Sequence, residues 1–480
     1  MKYDVIVIGA GLGGLTAGAK LAREGKRVLL IEQHSQPGGC ATTFKRGDFT
    51  LEVGLHEMDG LGPRDMKTRI FNELDVTNNI ELIRIPEFYH FIGKNVKITV
   101  PHNAAEAAEV LKQAFPNETK GVDAYFEQLQ NPKRKTADGQ SIPDTSVGEF
   151  LDSIIDNDDL KLVLLGNLGY FHDDPYSLSL TYYTIAQGSY YSGGASFIKG
   201  GSQVLSNHLA AFIKAHGGEV LLNHFATGFV VENGKLTGVT FKKARGANQE
   251  SFAAHADEII ANAAMGNIAE FLPNDIKEKL KLEIGKQKIG ASLLTIYFGF
   301  KRNLKHIGNK YYSTFVYDDS ISNQKDIVVN NRGPFDKRSF TFIDYGRIDS
   351  GLTTPEKSVG AICCIDYLSD WENLSKDEYK KKKEEVAKIF IDRLEKILPD
   401  ITNEIEFYEV GTSATVKRYT LNPGGAVYGF AQNPSRPTIE PSVIPENLHF
   451  ASAWGKTGGG FSGAIYGGYL CAYNLLRKRV

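Results

Sequence analysis

The feature that most constrains this chain lies at its start. An apolar, β-branched run, Tyr3–Ile8, ends at Gly9 and opens the pattern Gly9-x-Gly11-x-x-Gly14, and a second run, Val28–Ile31, ends at Glu32. Short apolar runs bounded by glycine or a charge read as strands buried on both faces, the sequence of a parallel sheet. Between them Leu15, Gly18, Ala19 and Ala22 recur at i, i+3, i+4 and i+7, which predicts a helix with one face small enough to lie close on that sheet. Strand, helix and strand in so short a span make a βαβ unit. In such a unit Gly9 permits the tight turn, Gly11 lets the backbone approach a pyrophosphate, and Gly14 allows close packing of the helix, whose N-terminus faces the phosphates. Glu32 stands near the ~20-residue offset at which an acid accepts hydrogen bonds from an adenosine ribose. Together these residues predict a dinucleotide site, and they do not separate NAD from FAD.

Composition narrows the remaining classes. The 480 residues allow about two to four domains. Lys and Arg total 55 against 57 Asp and Glu, a formal charge of −2, so there is no electrostatic basis for nucleic-acid binding. Cys363 and Cys364 are adjacent among only four cysteines, and no CxxC, His-x-x-x-His or Ser-His-Asp pattern occurs; no metal and no hydrolytic mechanism is expected. The longest apolar tracts, around Val5–Ala19 and Ala291–Phe300, are cut by glycine or fall short of the ~20 residues that cross a bilayer. With a strand beginning almost at Met1, a cytoplasmic protein is expected.

Further along, Gln203–His216 reads as a helix stopped by Gly217-Gly218, Val220–Asn223 as a strand, and Gly228–Glu232 with Leu236–Lys242 as a hairpin about Asn233-Gly234. Asp257–Ala261 is a further strand, and the glycine-rich loop Gly455–Gly460 leads into a helix over Ser462–Arg477. Ser375–Leu398 carries a capping box, Ser375-x-x-Glu378, and the apolar stripe Val386, Ile389, Phe390, Leu394 and Ile397. Lys380–Lys383 within it, followed by Glu384-Glu385, reads as a solvated face, with contact to anionic lipid as the alternative. The stretches 60–195 and 270–425 are rich in Tyr, Phe, Lys and Asn, with polar connections at Asn131–Ser146 and Ile321–Arg338.

After Glu32 come five residues and then Gly38-Gly39-Cys40-Ala41-Thr42-Thr43. Glu-x5-Gly-Gly resembles the extended fingerprint of FAD enzymes of the amine oxidase and phytoene desaturase superfamily. The resemblance implies FAD, with Gly38, Gly39 and Thr43 beside it. Cys40 stands where many members have arginine and reads as a packing residue. Gly217-Gly218-Glu219-Val220 with Ala226 resembles the strand that receives the adenine, and Gly200-Gly201-Ser202 resembles the loop into the preceding helix. The run Phe450 to Gly455 and then Gly463-Ala464 to Gly468 resembles the closing flavin motif, which implies cofactor contacts at Trp454, Gly455, Gly463 and Ala464. Phe49 to Met58, including Gly54-x-His56, and Arg418-Tyr419-Thr420, Gly424-Gly425 and Tyr428-Gly429 are similar to the phytoene desaturase, carotenoid isomerase and retinol saturase group. That similarity places Gly54 at the cofactor.

The resemblance implies an α/β fold with a discontinuous, Rossmann-like FAD-binding domain (1–60, 195–270, 425–480) and an α+β substrate domain (61–194, 271–424). It implies an FAD-dependent desaturase, saturase or cis–trans isomerase acting on double bonds of a long apolar carotenoid, retinoid or related isoprenoid, by hydride exchange at flavin N5. NAD(P)H, a quinone or oxygen would be the electron partner, and a membrane surface would be touched peripherally. His56 is the candidate acid or base, with a positioning role as the alternative. Tyr182, Tyr183, Tyr190 and Tyr191 are candidates to line a tunnel, and Tyr428 to cover the flavin. Two other readings stay open: an amine oxidase with an aromatic cage from Trp454 and Tyr428, and a flavin-free prenyl-lipid binder similar to Rab GDP-dissociation inhibitors.

Overall fold

The two terminal apolar runs form strands Lys2–Ile8 and Val28–Ile31, paired in parallel with Val5 opposite Val28 and Ile8 opposite Ile31. This computed structural model describes residues 2–132, 143–245 and 250–477. The strands sit inside a sheet of order Glu219–Leu221, Val28–Ile31, Lys2–Ile8, Ser251–Ala261, Lys235–Lys243, His224–Glu232, with Leu448–Phe450 also parallel to Ser251–Ala261. Residues from both ends and the middle of the chain therefore share one sheet. The hairpin turns at Asn233-Gly234, both at positive φ (50° and 76°), as a two-residue turn between twisted strands requires. Three of these strands, His224–Glu232, Lys235–Lys243 and Ser251–Ala261, run longer than expected. Pairing extends back through Phe225, Ala226, Phe252 and Ala254 to His224 and Ser251, and out to the exposed Lys235 and Lys243.

The helix Leu12–Arg23 departs from the one-face expectation: every residue from Leu12 to Ala22 is buried. It lies between the sheet and two helices, Ser202–Ala215 and Gly460–Arg477. A Cβ on Gly18 would come within 2.9 Å of Ile213, and one on Gly468 within 2.1 Å of the Gly13 carbonyl oxygen. Small residues are thus needed on more than one side of this helix.

A second sheet runs Ile405–Gly411, Ser292–Phe300, Ser358–Asp366, Phe340–Asp344, Ser313–Val316, Tyr89–Ile92, Lys97–Val100. It is antiparallel except where Ser313–Val316 meets Tyr89–Ile92. The helix Lys376–Ile397 forms with its capping box and packs Val386, Phe390 and Leu394 against Leu294, Ile296 and Phe298 of that sheet. Lys380 and Lys381 are exposed near Glu384 and Glu385. The stretch Ile321–Arg338 is not the open polar connection expected. It contains the helix Asp326–Asn331, and it buries Asn330, Asn331 and Arg338 because their side chains reach backbone carbonyls of Lys337, Asp173 and Gly333. Most of the connection 131–146 lies outside the described residues. The helix Asn274–Gly285 packs Leu280 with Ile259 and Phe430, so the core of the first sheet extends beyond residue 270. Among the described residues no helix is long and apolar enough to cross a membrane.

Candidate functional site

At the carboxyl ends of the parallel strands the chain turns through Gly9, whose φ of +93° and missing Cβ let it pass the Asn262 carbonyl oxygen, 2.5 Å from where a Cβ would stand. Gly11 and Gly38 pair as a parallel bridge, and a Cβ on Gly39 would lie 3.3 Å from the Gly11 Cα. Gly14 would clash with the Gly9 carbonyl at 2.1 Å if it carried one. Asn262, which the sequence reading missed, donates from Nδ2 to the Gly9 carbonyl at 3.2 Å and packs against Gly11 and Gly13. Glu32 is buried beneath this turn. Its Oε2 accepts from the Ala10 amide at 2.7 Å and its Oε1 from the His34 amide at 2.8 Å. The carboxylate therefore shapes the glycine turn while retaining lone pairs for a ligand.

Neighbouring loops converge on the same place. The His224 amide donates to the Glu32 carbonyl, which sets Ala226, buried at a bulge, two residues from this point. Gln33 and His34 side chains reach the Tyr419 carbonyl at 3.2 and 2.7 Å, bringing the Arg418–Thr420 segment alongside. Thr43 begins the strand Thr43–Arg46 and pairs with Glu52. Burial pushes the Cys40 thiol up to about 11, so it is an inert packing group. Glu52, also missed, is 2% exposed and accepts from the amides of Gly54, Leu55 and Ser202 and from the Ser202 hydroxyl at 2.7–3.1 Å. One buried carboxyl thus ties the Gly54 loop to the Gly200–Ser202 loop.

Beyond Gly54 the structure opens into a cavity of about 910 Å³, within the range of small-molecule sites. Its wall includes Val53, Gly54, His56 and Glu57 on one side, and Tyr182, Tyr190, Tyr191 and Tyr428 on others. The start of the helix Gly460–Arg477 supplies Gly459, Gly460 and Gly463. These are the residues through which a positive helix end can face the cavity without side-chain bulk. Met66 and Ile185, 43% and 54% exposed, belong to the same wall, as does the exposed Arg64.

His56 shares a 3.2 Å hydrogen bond with the Tyr170 hydroxyl through Nδ1. Burial holds its pKa down to about 4, so at neutral pH it is an uncharged imidazole and not an imidazolium acid. Asp59 is pushed up by burial but pulled below its ordinary value by Lys67 and by hydrogen bonds. Lys67, fully buried, reaches Asp59 at 3.3 Å and the Ser462 hydroxyl at 2.6 Å, and Ser462 donates to Asp59. This network fixes the first turn of the glycine-rich helix.

Two expected placements fail. Tyr183 lines no tunnel: it is fully buried, and its hydroxyl bonds Tyr125 at 2.8 Å and the Leu164 carbonyl at 3.1 Å inside the helical core, about 100° around the helix Leu180–Gly193 from Tyr182. Trp454 does not join Tyr428 in a cage. Its ring is buried edge-on against Phe430, and Nε1 reaches Asn422 at 3.3 Å. Gly455 follows in the adjoining turn, donating to the Ser452 carbonyl, and Ala464 packs half-buried against the main core.

The profile of the family described as flavin containing amine oxidoreductase matches residues 12–476. The chain belongs to this family. It is therefore a flavin-dependent enzyme of the superfamily its glycine motifs resemble. Among relatives it is 25% identical to the all-trans-retinol 13,14-reductase of Danio rerio, over 99% of this chain and 86% of that protein. It is 27% identical to the chloroplastic prolycopene isomerase of Daucus carota, over 89% of this chain and 72% of that protein. A solved oxidoreductase from Methanosarcina mazei shares the fold, with a TM-score of 0.68 at 16% identity, covering 99% of this chain and 100% of that one. The glycine turn, the bridge from Gly11 to Gly38 and the cavity beside Gly459–Gly463 fit a flavin: the backbone is bare where a phosphate chain would pass and the wall is open where a ring system would lie.

Proposed function

We propose that this chain is an FAD-dependent enzyme acting on carbon–carbon double bonds of a long apolar substrate, a carotenoid, retinoid or related isoprenoid. The observation that carries the reading is the cavity of about 910 Å³, walled by tyrosine rings and meeting the glycine-rich helix start. Its size and wall suit an elongated hydrocarbon, whose affinity would come from burial at about 25 cal/mol per Å² of apolar surface. The retinoid and carotenoid named for the two relatives belong to this substrate class.

In this reading Gly9, Gly11, Gly14, Gly38, Gly39 and Thr43 hold the pyrophosphate side of FAD, and Glu32 and Ala226 the adenosine. Gly54, Trp454, Gly455, Gly463 and Ala464 hold the flavin side. The FAD domain comprises 1–60, 195–270 and 425–480, and the substrate domain 61–194 and 271–424. Bound FAD would supply a two-electron hydride donor or acceptor at N5. The protein's own residues contribute position and dryness: the tyrosine rings exclude water, the helix start presents its positive end, and neutral His56 with Tyr170 orients rather than protonates. The exposed apolar side chains of Met66 and Ile185 on the cavity wall favour substrate uptake from a membrane surface by a cytoplasmic protein.

The test is product analysis after anaerobic incubation of oxidised and of reduced holoenzyme with carotenoids, retinol, unsaturated fatty acids and amines. Gained, lost or rearranged double bonds are expected, and the redox state that supports turnover distinguishes desaturation, saturation and isomerisation. Re-addition of NAD(P)H, a quinone or oxygen then identifies the electron partner. Turnover of amines with peroxide release, and of no alkene, overturns the reading.

A further inference from the structure

Two spaces lie in line over one face of the second sheet. Beside the cavity already described is a void of about 60 Å³, and none of the residues that wall it is exposed. Thr295, Cys363, Thr341 and Phe315 stand directly opposite one another across four neighbouring strands, and opposite residues of paired antiparallel strands share a face. Thr295 and Cys363 line the main cavity, while Cys363, Thr341 and Phe315 line the void. The sheet floor of the cavity therefore continues beneath the void, and at about 4.8 Å per strand it runs about 10 Å beyond Cys363. Leu168, Ile327, Phe340 and Ile365 make the rest of the void's wall largely apolar, so it suits the end of a hydrocarbon chain.

Among the described residues, Tyr170, Leu293 and Cys363 line both spaces. Leu293 and Cys363 belong to the floor, Leu293 being two residues from Thr295 on the same face. Tyr170 comes from another element, the turn Leu168–Tyr170, and packs over that floor: its ring meets the Phe315 ring at 5.4 Å, edge to face, and its hydroxyl shares the hydrogen bond with His56 Nδ1. The exposed wall residues Arg64, Met66 and Ile185 mark the mouth of the cavity, whereas Tyr170 is half-buried and adjoins the void.

We propose that Tyr170 sets the length of substrate the site accepts: its ring closes the inner end of the cavity, and a smaller side chain there lets a chain continue along the sheet floor toward Phe315. The inference rests on the proposed reading of the cavity as a site for long apolar molecules and names what limits their length. At about 10–15 Å³ for each water-sized group, the void holds about four such groups, and with the space vacated by the phenol ring it takes about one further isoprene unit.

The experiment is calorimetric titration of oxidised holoenzyme, without oxygen, with the all-trans polyprenols from farnesol to solanesol in a cyclodextrin carrier. Wild type should gain at least about tenfold in affinity for each isoprene unit that finds room, from the apolar area it buries, up to a length beyond which the next homologue gains nothing. Tyr170→Ala should carry the gain about one unit further, while Tyr170→Phe, which keeps the ring, should keep the wild-type limit. Tyr170→Leu, a milder opening, should move the limit in the same direction and serves if the alanine variant does not fold. Thr341→Met fills the void: alone it should leave the limit where it is, and added to Tyr170→Ala it should restore it, a reversal that general loosening of the fold would not show. A limit common to wild type and the opened variants, affinity that climbs without limit to solanesol in wild type, or an extension that survives Thr341→Met overturns the role of Tyr170 and leaves the cavity reading standing. Failure of every polyprenol to bind wild type overturns the cavity reading, and this inference with it.

Discussion

Replacing Glu57 by glutamine should change how stability responds to pH, and the direction and slope follow from the structure. Burial first, then the negative charges of Glu87 and Asp59, raise its pKa well above the ordinary 4.5. A carboxyl with a higher pKa in the folded state binds its proton more tightly there. The folded protein is thus favoured while the group is protonated, and stability falls as pH rises from the unfolded-state pKa toward the folded one. Within that window the loss approaches about 1.4 kcal/mol per pH unit. Glutamine carries no such proton, so the stability of Glu57→Gln relative to wild type should climb by up to that slope with each unit above the unfolded value. Glu52, Asp344 and Asp366 also have raised pKa values from burial, but they are common to both proteins and cancel in the difference. Asp59, held low, and His56, whose contribution changes between about 4 and its ordinary unfolded value, are likewise present in both proteins and cancel in the difference. Urea midpoints of the two holoproteins at matched flavin content, taken from about pH 5 to about pH 8, measure the difference. Parallel profiles would refute the claim that Glu57 is an uncompensated buried acid.

Gly11→Val and Glu32→Ala should each lower the flavin-to-protein absorbance ratio, the first because a Cβ there already lies 2.8 Å from Asn262 Nδ2 and a larger side chain blocks the crevice, the second by releasing the Ala10 amide. Normal flavin content in both variants contradicts the site. Gly468→Ala drives a methyl to 2.1 Å from the Gly13 carbonyl and should cost about 1–3 kcal/mol as a lowered thermal midpoint; an unchanged midpoint would mean that the two helices are not so closely packed. Lys67→Met strands buried Asp59 and should cost about 3 kcal/mol, with Asp59→Asn added to it recovering part; a double variant no more stable than the single one argues against the pair.

Much of the nucleotide end was legible because its determinants are local. Gly9, Gly11, Gly14 and Glu32 lie within one βαβ unit, and turn chemistry at Asn233-Gly234 and the capping box at Ser375 act within a few residues. Asn262 escaped notice because its role depends on a strand from the middle of the chain landing beside Lys2–Ile8. Glu52 and Glu57 carried a readable signal, acids within an otherwise apolar segment, but only the fold shows that one is saturated with amides and the other bare. The tyrosines of Leu180–Gly193 could not be sorted from sequence: Tyr182 and Tyr183 are adjacent, and helix rotation sends one to the cavity and the other to Tyr125. The cage reading of Trp454 failed for a similar reason, since a glycine-rich neighbourhood marks a close backbone approach and does not tell which way a ring turns.

The central claim, that a long apolar alkene reacts in the cavity beside bound flavin, is tested most directly by anaerobic single-turnover mixing of holoenzyme with polyenes while the visible flavin absorbance and the double bonds are followed together. The account predicts bleaching of oxidised flavin, reoxidation of reduced flavin, or rearranged double bonds with the flavin spectrum unchanged, for at least one isoprenoid. If every polyene leaves both redox forms and its own double bonds untouched while an amine bleaches the oxidised enzyme, the claim is wrong.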